Sequence, residues 1–161
     1  MPDYSDAFLR KVLEESRTIA MVGASTNPVR ASYFVASYLT ARDRKVIPIN
    51  PKQAGQTLFG QTVLSDLSEI EEPVDMLDIF RRSEHVPAIV EAALTHLMPG
   101  LKSVWMQFNV ISAEGAAMAE AAGLDVVMDR CPKVEYARLM RELGAVGIAS
   151  GVVSSRLTQK F

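Results

Sequence analysis

Five short stretches of this 161-residue chain combine small, hydroxylic, amide and basic residues in ways suited to holding phosphate. The first is Gly23-Ala24-Ser25-Thr26-Asn27-Pro28-Val29-Arg30-Ala31-Ser32. A glycine after an apolar run lets the chain turn sharply and lets an anion approach the backbone. Ser25, Thr26 and Ser32 add hydroxyl donors and Arg30 adds a cation. A helix following the loop would add its unpaired N–H groups and its dipole. An ordinary turn with a Ser or Asn helix cap reads the same way, so this stretch alone leaves both readings open.

The loop is not a dinucleotide fingerprint. Ser25 and Pro28 stand where G-x-G-x-x-G requires glycine. A nicotinamide-dinucleotide site also expects an acid at the end of the second strand to bind the ribose hydroxyls. This chain has Asn50-Pro51-Lys52 there. A lysine suits a ribose that itself carries phosphate, which points to NADP or coenzyme A. A solvated turn lysine is the plain alternative.

The third stretch, Phe80-Arg81-Arg82-Ser83, puts two guanidinium groups at a strand end, where charge-assisted bonds to phosphate are strong. Pairing of one of them with Glu84 is the competing use. The fourth, Gln107-Phe108-Asn109, places amide side chains where a thiol arm or a nicotinamide would lie. The fifth is Asp129-Arg130-Cys131-Pro132-Lys133. Two basic neighbours would lower the pKa of the Cys131 thiol; burial would leave it an inert core residue.

No catalytic constellation accompanies these stretches. His85 and His96 are eleven positions apart and, with one cysteine in the chain, do not form a metal-ligand cluster. Asp75 and Asp78 fall at odd separation in one strand, on opposite faces, and so are not a paired acid and base. The chain lacks the Gly-x-Ser-x-Gly elbow and the Gly-Lys-Ser/Thr phosphate loop.

The elements that must position these residues alternate. Apolar runs at 18–22, 45–49, 74–80, 103–108 and 124–128 read as strands. Helical spacing marks 6–16, 33–41, 86–97, 113–122 and 134–143, with one further helical turn at 67–70. Pro48 cannot donate to a ladder, so the second strand should be irregular or exposed on one side. Residues 50–65 are turn-rich with room for a short extended stretch. The pattern predicts an α/β, Rossmann-like, doubly wound and mainly parallel five-stranded sheet. Ligands of such sheets bind beyond the carboxyl ends of the strands, where all five stretches fall. Residues 1–143 form one domain in this reading, and 144–161 are a tail that the pattern does not place.

The composition is that of a globular domain, 48% hydrophobic and 22% charged, with a net charge of −2 and no block of like charges. A general nucleic-acid-binding surface is not expected. A single cysteine excludes an internal disulfide and fits a reducing compartment. With neither a signal-like start nor about 18 uninterrupted apolar residues, a cytoplasmic protein without a membrane span is expected. So apolar a chain is compatible with a homodimer or with docking to a partner protein.

Taken in order, Ile19-Ala20-Met21-Val22-Gly23-Ala24-Ser25, Val46-Ile47-Pro48-Ile49-Asn50-Pro51-Lys52, Val74-Asp75-Met76-Leu77-Asp78-Ile79-Phe80-Arg81, Val104-Trp105-Met106-Gln107 and Val126-Val127-Met128-Asp129-Arg130-Cys131 resemble the small stand-alone CoA-binding protein family. That family is similar to the CoA-binding domain of the succinyl-CoA synthetase α-subunit. The resemblance spans residues 18–139. It implies a Rossmann-like domain with coenzyme A at the strand ends, the pyrophosphate on the Gly23–Ser25 loop and the adenosine end near Lys52. Phe80, Arg81, Gln107 and Cys131 match positions that the family keeps along the cofactor cleft. Asn109 departs from the family's usual glycine; Asn tolerates a left-handed backbone, but its side chain would narrow the cleft. The synthetases' phosphorylated histidine has no counterpart here, so ligase activity is not carried over. The expected function is binding of coenzyme A or acyl-CoA as a carrier, sensor or regulator. The alternatives are an NADP-dependent oxidoreductase and a redox protein forming a Cys131–CoA mixed disulfide.

Overall fold

A computed structural model describes residues 2–140 of the chain; the tail at 144–161 lies outside the described residues. The main sheet is built from β1 (Thr18–Val22), β2 (Lys45–Ile49), β5 (Met76–Ile79), β6 (Ser103–Met106) and β7 (Asp125–Val127), in spatial order β2-β1-β5-β6-β7 with every pair parallel. A hairpin of β3 (Thr57–Leu58) and β4 (Gln61–Thr62) sits beside it, in the turn-rich stretch. The helices are α1 (Asp6–Glu15), α2 (Ala31–Thr40), α3 (Val86–His96), α4 (Ala113–Ala121) and α5 (Pro132–Leu139).

Both sheet faces are covered, which is why the strands read as continuous apolar runs. Alternation sends Ala20, Val22, Ile47, Leu77, Ile79, Val104 and Met106 into a core with α3 and α4. Ile19, Met21, Val46, Met76, Trp105 and Val127 face α1, α2 and α5. The reversal of strand order falls between β1 and β5, the position at which doubly wound sheets open a crevice for a ligand.

Several boundaries differ from the sequence reading. Asp75 lies just ahead of β5, where its carboxylate accepts from the Arg17 and Thr18 amides at 3.0 and 2.9 Å and pairs with Lys102 at 3.2 Å. Gln107 and Phe108 leave the strand for a turn, and α5 begins at Pro132, where the missing N–H costs nothing. Pro48 is buried in a regular strand rather than irregular. The reason is direction: its carbonyl accepts from Leu64 N at 2.9 Å, so the proline nitrogen also faces outward and no β1 bond is lost.

Candidate functional site

The loop after β1 is built on one close approach. Gly23 has φ +84, and a Cβ there would lie 2.6 Å from the Phe80 carbonyl oxygen. Only glycine lets the ends of β1 and β5 meet so tightly. Arg81 crosses above: its Cδ would be 3.1 Å from the same Cβ position.

From Gly23 to Asn27 the backbone donors are already engaged. The Gly23 and Ala24 amides donate to Ile49 O at 2.9 and 3.3 Å. Ser25 N donates to Ser32 Oγ at 3.0 Å, Thr26 N to Gln53 Oε1 at 2.9 Å and Asn27 N to Ser25 Oγ at 3.1 Å. Asn50 ties the next strand end to this loop, its Nδ2 donating to Ala24 O at 2.8 Å while its Oδ1 accepts from Lys52 N at 3.0 Å.

The donors left for a ligand are therefore different from those of a simple glycine loop. Ser25 Oγ and Ser32 Oγ each accept a backbone N–H, which leaves both hydroxyl hydrogens to donate. Arg30 occupies the cap of α2 without a side-chain cap bond, and the Ala31 and Ser32 amides of the first turn have no intrahelical acceptor. These groups converge on a cavity of about 500 Å³. Val22, Gly23, Ser25 and the Arg30–Ser32 turn line one side; the run from Ile49 to Gln53 lines another, and Phe80 and Arg81 close it.

Arg30, Lys52 and Arg81 are exposed at this cavity, and among the described residues none has a carboxylate within 4.0 Å. Glu84 pairs instead with His85 at 3.6 Å. A concave surface with three uncompensated cations and hydroxyl and amide hydrogens is suited to a polyanion.

Of the candidate residues, Gly23, Ser25, Arg30, Ser32, Asn50, Lys52, Phe80 and Arg81 thus share one cavity. Ala24 is buried behind it, and Thr26 is turned to Gln53 and Gln56. Ala31, Pro51 and Gln53 line it without having been singled out. Proximity to a strand end was the only sequence signal for them.

Gln107, Asn109 and Cys131 lie farther along the same edge, at the ends of β6 and β7. Asn109 takes φ +66, the left-handed backbone expected of an Asn replacing Gly, and its amide donates to Asp129 Oδ1 at 2.6 Å. Arg130 is anchored: Trp105 Nε1 donates to its carbonyl at 2.7 Å, and its guanidinium reaches Pro2 O at 3.0 Å. Cys131 is only 5% exposed. Burial pushes its thiol pKa up, the Val134 amide and the Gln107 side chain pull it down, and the charge of Asp78 raises it again. The net direction is upward, opposite to activation by basic neighbours. Lys133 is itself buried, over the rings of Phe34 and Tyr38, and burial lowers its pKa.

Asp78 was read only as half of a pair that fails. In the fold it is fully buried, on the same strand face as Phe80, and among the described residues neither carboxylate oxygen has a hydrogen-bond partner. Burial drives its pKa well above the ordinary value. Gln107 Oε1 is likewise buried and has no partner among the described residues. An acid inside an otherwise apolar strand was the available signal. Among the described residues no three His, Cys, Asp or Glu side chains converge as a metal site, and no helix is long and apolar enough to cross a membrane.

This architecture, a doubly wound parallel sheet with a donor-lined cavity at its switch point, defines a Rossmann-like ligand-binding domain. The chain belongs to the CoA binding domain family, whose pattern matches residues 17–137. It is 34% identical over 137 residues to the uncharacterized protein YneT of Bacillus subtilis, an alignment covering 85% of this chain and 98% of that one. Among solved structures it is similar to cell-free ID.343 from Thermus thermophilus, with 34% identity, a TM-score of 0.78, and coverage of 84% and 99% of the two chains. A hypothetical protein from Pyrococcus horikoshii OT3 is similar at 31% identity and TM-score 0.78, covering 87% of this chain and 99% of that one.

Proposed function

We propose that the chain binds coenzyme A or an acyl-CoA in the cavity between β1, β2 and β5, and acts as a carrier, sensor or regulator rather than by chemistry of its own. The observation that carries this reading is the convergence of Arg30, Lys52 and Arg81, each without a carboxylate partner among the described residues, on one cavity with the Ser25 and Ser32 hydroxyls and the start of α2. The pyrophosphate fits the α2 end and its serines. The ribose phosphate fits Lys52 at the end of β2. Membership of the CoA binding domain family supports coenzyme A over NADP.

Calorimetry with coenzyme A, dephospho-CoA and NADP tests the reading. Coenzyme A should bind more tightly than dephospho-CoA by about tenfold or more, since a charge-assisted phosphate contact contributes about 1.5–3 kcal/mol. NADP should bind more weakly than coenzyme A. Mass spectrometry of the supernatant after denaturing freshly purified protein should show coenzyme A or an acyl-CoA. NADP binding tighter than coenzyme A would overturn the proposal.

A further inference from the structure

Gln53 ends the single 3-10 turn, Pro51–Gln53, that follows β2, and it lines the cavity next to Lys52. Its carboxamide has a fixed sense. The Thr26 backbone amide meets it at 2.9 Å, and a backbone N–H can only donate, so the group placed there must be the oxygen. Thr26 Oγ1 lies 3.3 Å from the same oxygen and 2.8 Å from Gln56 Oε1. The two N–H bonds of Gln53 are therefore turned away from Thr26, and among the described residues they meet no acceptor. The backbone that carries them is held too. Gln53 N donates to Asn50 O at 3.1 Å, Gln56 N to Gln53 O at 3.1 Å and Val63 N to Gln56 O at 2.8 Å.

At this strand end a nicotinamide-dinucleotide site places an acid to accept from ribose hydroxyls. Here the Lys52 ammonium and the amide hydrogens left to Gln53, whose oxygen is taken by Thr26, stand in its place. We infer that Gln53 is a specificity-determining residue for the phosphate on the ribose of the ligand, and that Thr26 is the positioning residue that aims it. The inference rests on the coenzyme A reading above. It also gives Thr26 a role other than that of a phosphate donor.

Gln53→Glu is the discriminating variant. A carboxylate still accepts from Thr26, so the turn stays anchored, but the amide hydrogens are replaced by a negative charge facing the phosphate. Calorimetry should show coenzyme A binding weakened by about tenfold or more and dephospho-CoA by about twofold or less, so that the preference between them collapses. Gln53→Met, which removes the donors without adding charge, should reduce the preference by a smaller factor. Thermal melting of both variants reports whether the fold is kept. An unchanged ratio of the two affinities in a folded Gln53→Glu protein overturns the inference while leaving the coenzyme A reading intact. Absence of coenzyme A binding to the unaltered chain removes that reading and this inference with it.

Discussion

The two halves of the same sheet edge solve opposite problems. At the ends of β1 and β2 the loop oxygens are engaged by backbone amides, and what remains is hydrogens and positive charge facing an open cavity. Farther along, Asp78 within β5 and Gln107 at the end of β6 leave oxygen instead: both atoms of the Asp78 carboxyl and Gln107 Oε1 are buried and, among the described residues, without a partner. Unmet donors beside solvent cost little, because water satisfies them. A buried unmet acceptor costs about 1–3 kcal/mol. On the proposed reading the first region receives an anion, while the second holds polar groups that the fold tolerates at a cost.

Three measurements would break or sharpen that contrast. The largest effect should come from Gly23→Ala. The new methyl meets the Phe80 carbonyl oxygen at 2.6 Å, and the backbone is at φ +84, so stability should fall by about 3 kcal/mol or more in chemical denaturation. Coenzyme A binding should be lost in calorimetry even where the variant is folded. A variant of normal stability would mean that the β1 and β5 ends can separate freely.

Asp78→Asn addresses the other region and should act through pH. The folded-state pKa lies above the ordinary Asp value of 3.8, so between the two the folded protein holds a proton that the unfolded chain has released. The contribution of Asp78 to stability therefore declines as pH rises above 3.8, until the group ionises within the fold. Asn carries no such penalty. Denaturation curves should show the variant gaining on the unaltered chain by about 1–3 kcal/mol near pH 8, with the gain shrinking toward pH 4. A difference that does not vary with pH would assign the cost of Asp78 to packing rather than to charge.

The smallest effect is expected from Asn109→Gly. Its backbone already sits at φ +66, so relief of the left-handed conformation should add about 0.5 kcal/mol or less. If the ligand's arm passes the end of β6, affinity for coenzyme A should rise by about twofold in the same variant. Unchanged affinity would keep the arm away from that turn.

Much of the scaffold was legible because its signals are local. Apolar runs such as Thr18–Val22 and the helical spacing of Val86–His96 depend on neighbours a few positions away, and the parallel sheet follows from their alternation. The strand ends marked the region of the cavity for the same reason. The division of labour inside it was not legible. Thr26 looks like a phosphate donor until the chain returns twenty-seven positions later with Gln53 to take its amide. Cys131 looks activated by Arg130 and Lys133 until one of those is seen held by Pro2 and the other buried on aromatic rings. Asp78 entered the sequence reading only as half of a failed acid pair, and only the covering helices show that its carboxyl is cut off from water.

Pro48 has a consequence for how copies of this chain can meet. The outer edge of β2 is where a strand from another molecule would add, by pairing with exposed amides and carbonyls. Here the proline offers no amide, Leu64 N occupies the Pro48 carbonyl at 2.9 Å, and Leu64 O occupies the Asn50 amide at 2.8 Å. At this end of β2 the ladder groups are already taken by the chain itself, so strand addition from a second molecule has no free partners at Pro48 and Asn50.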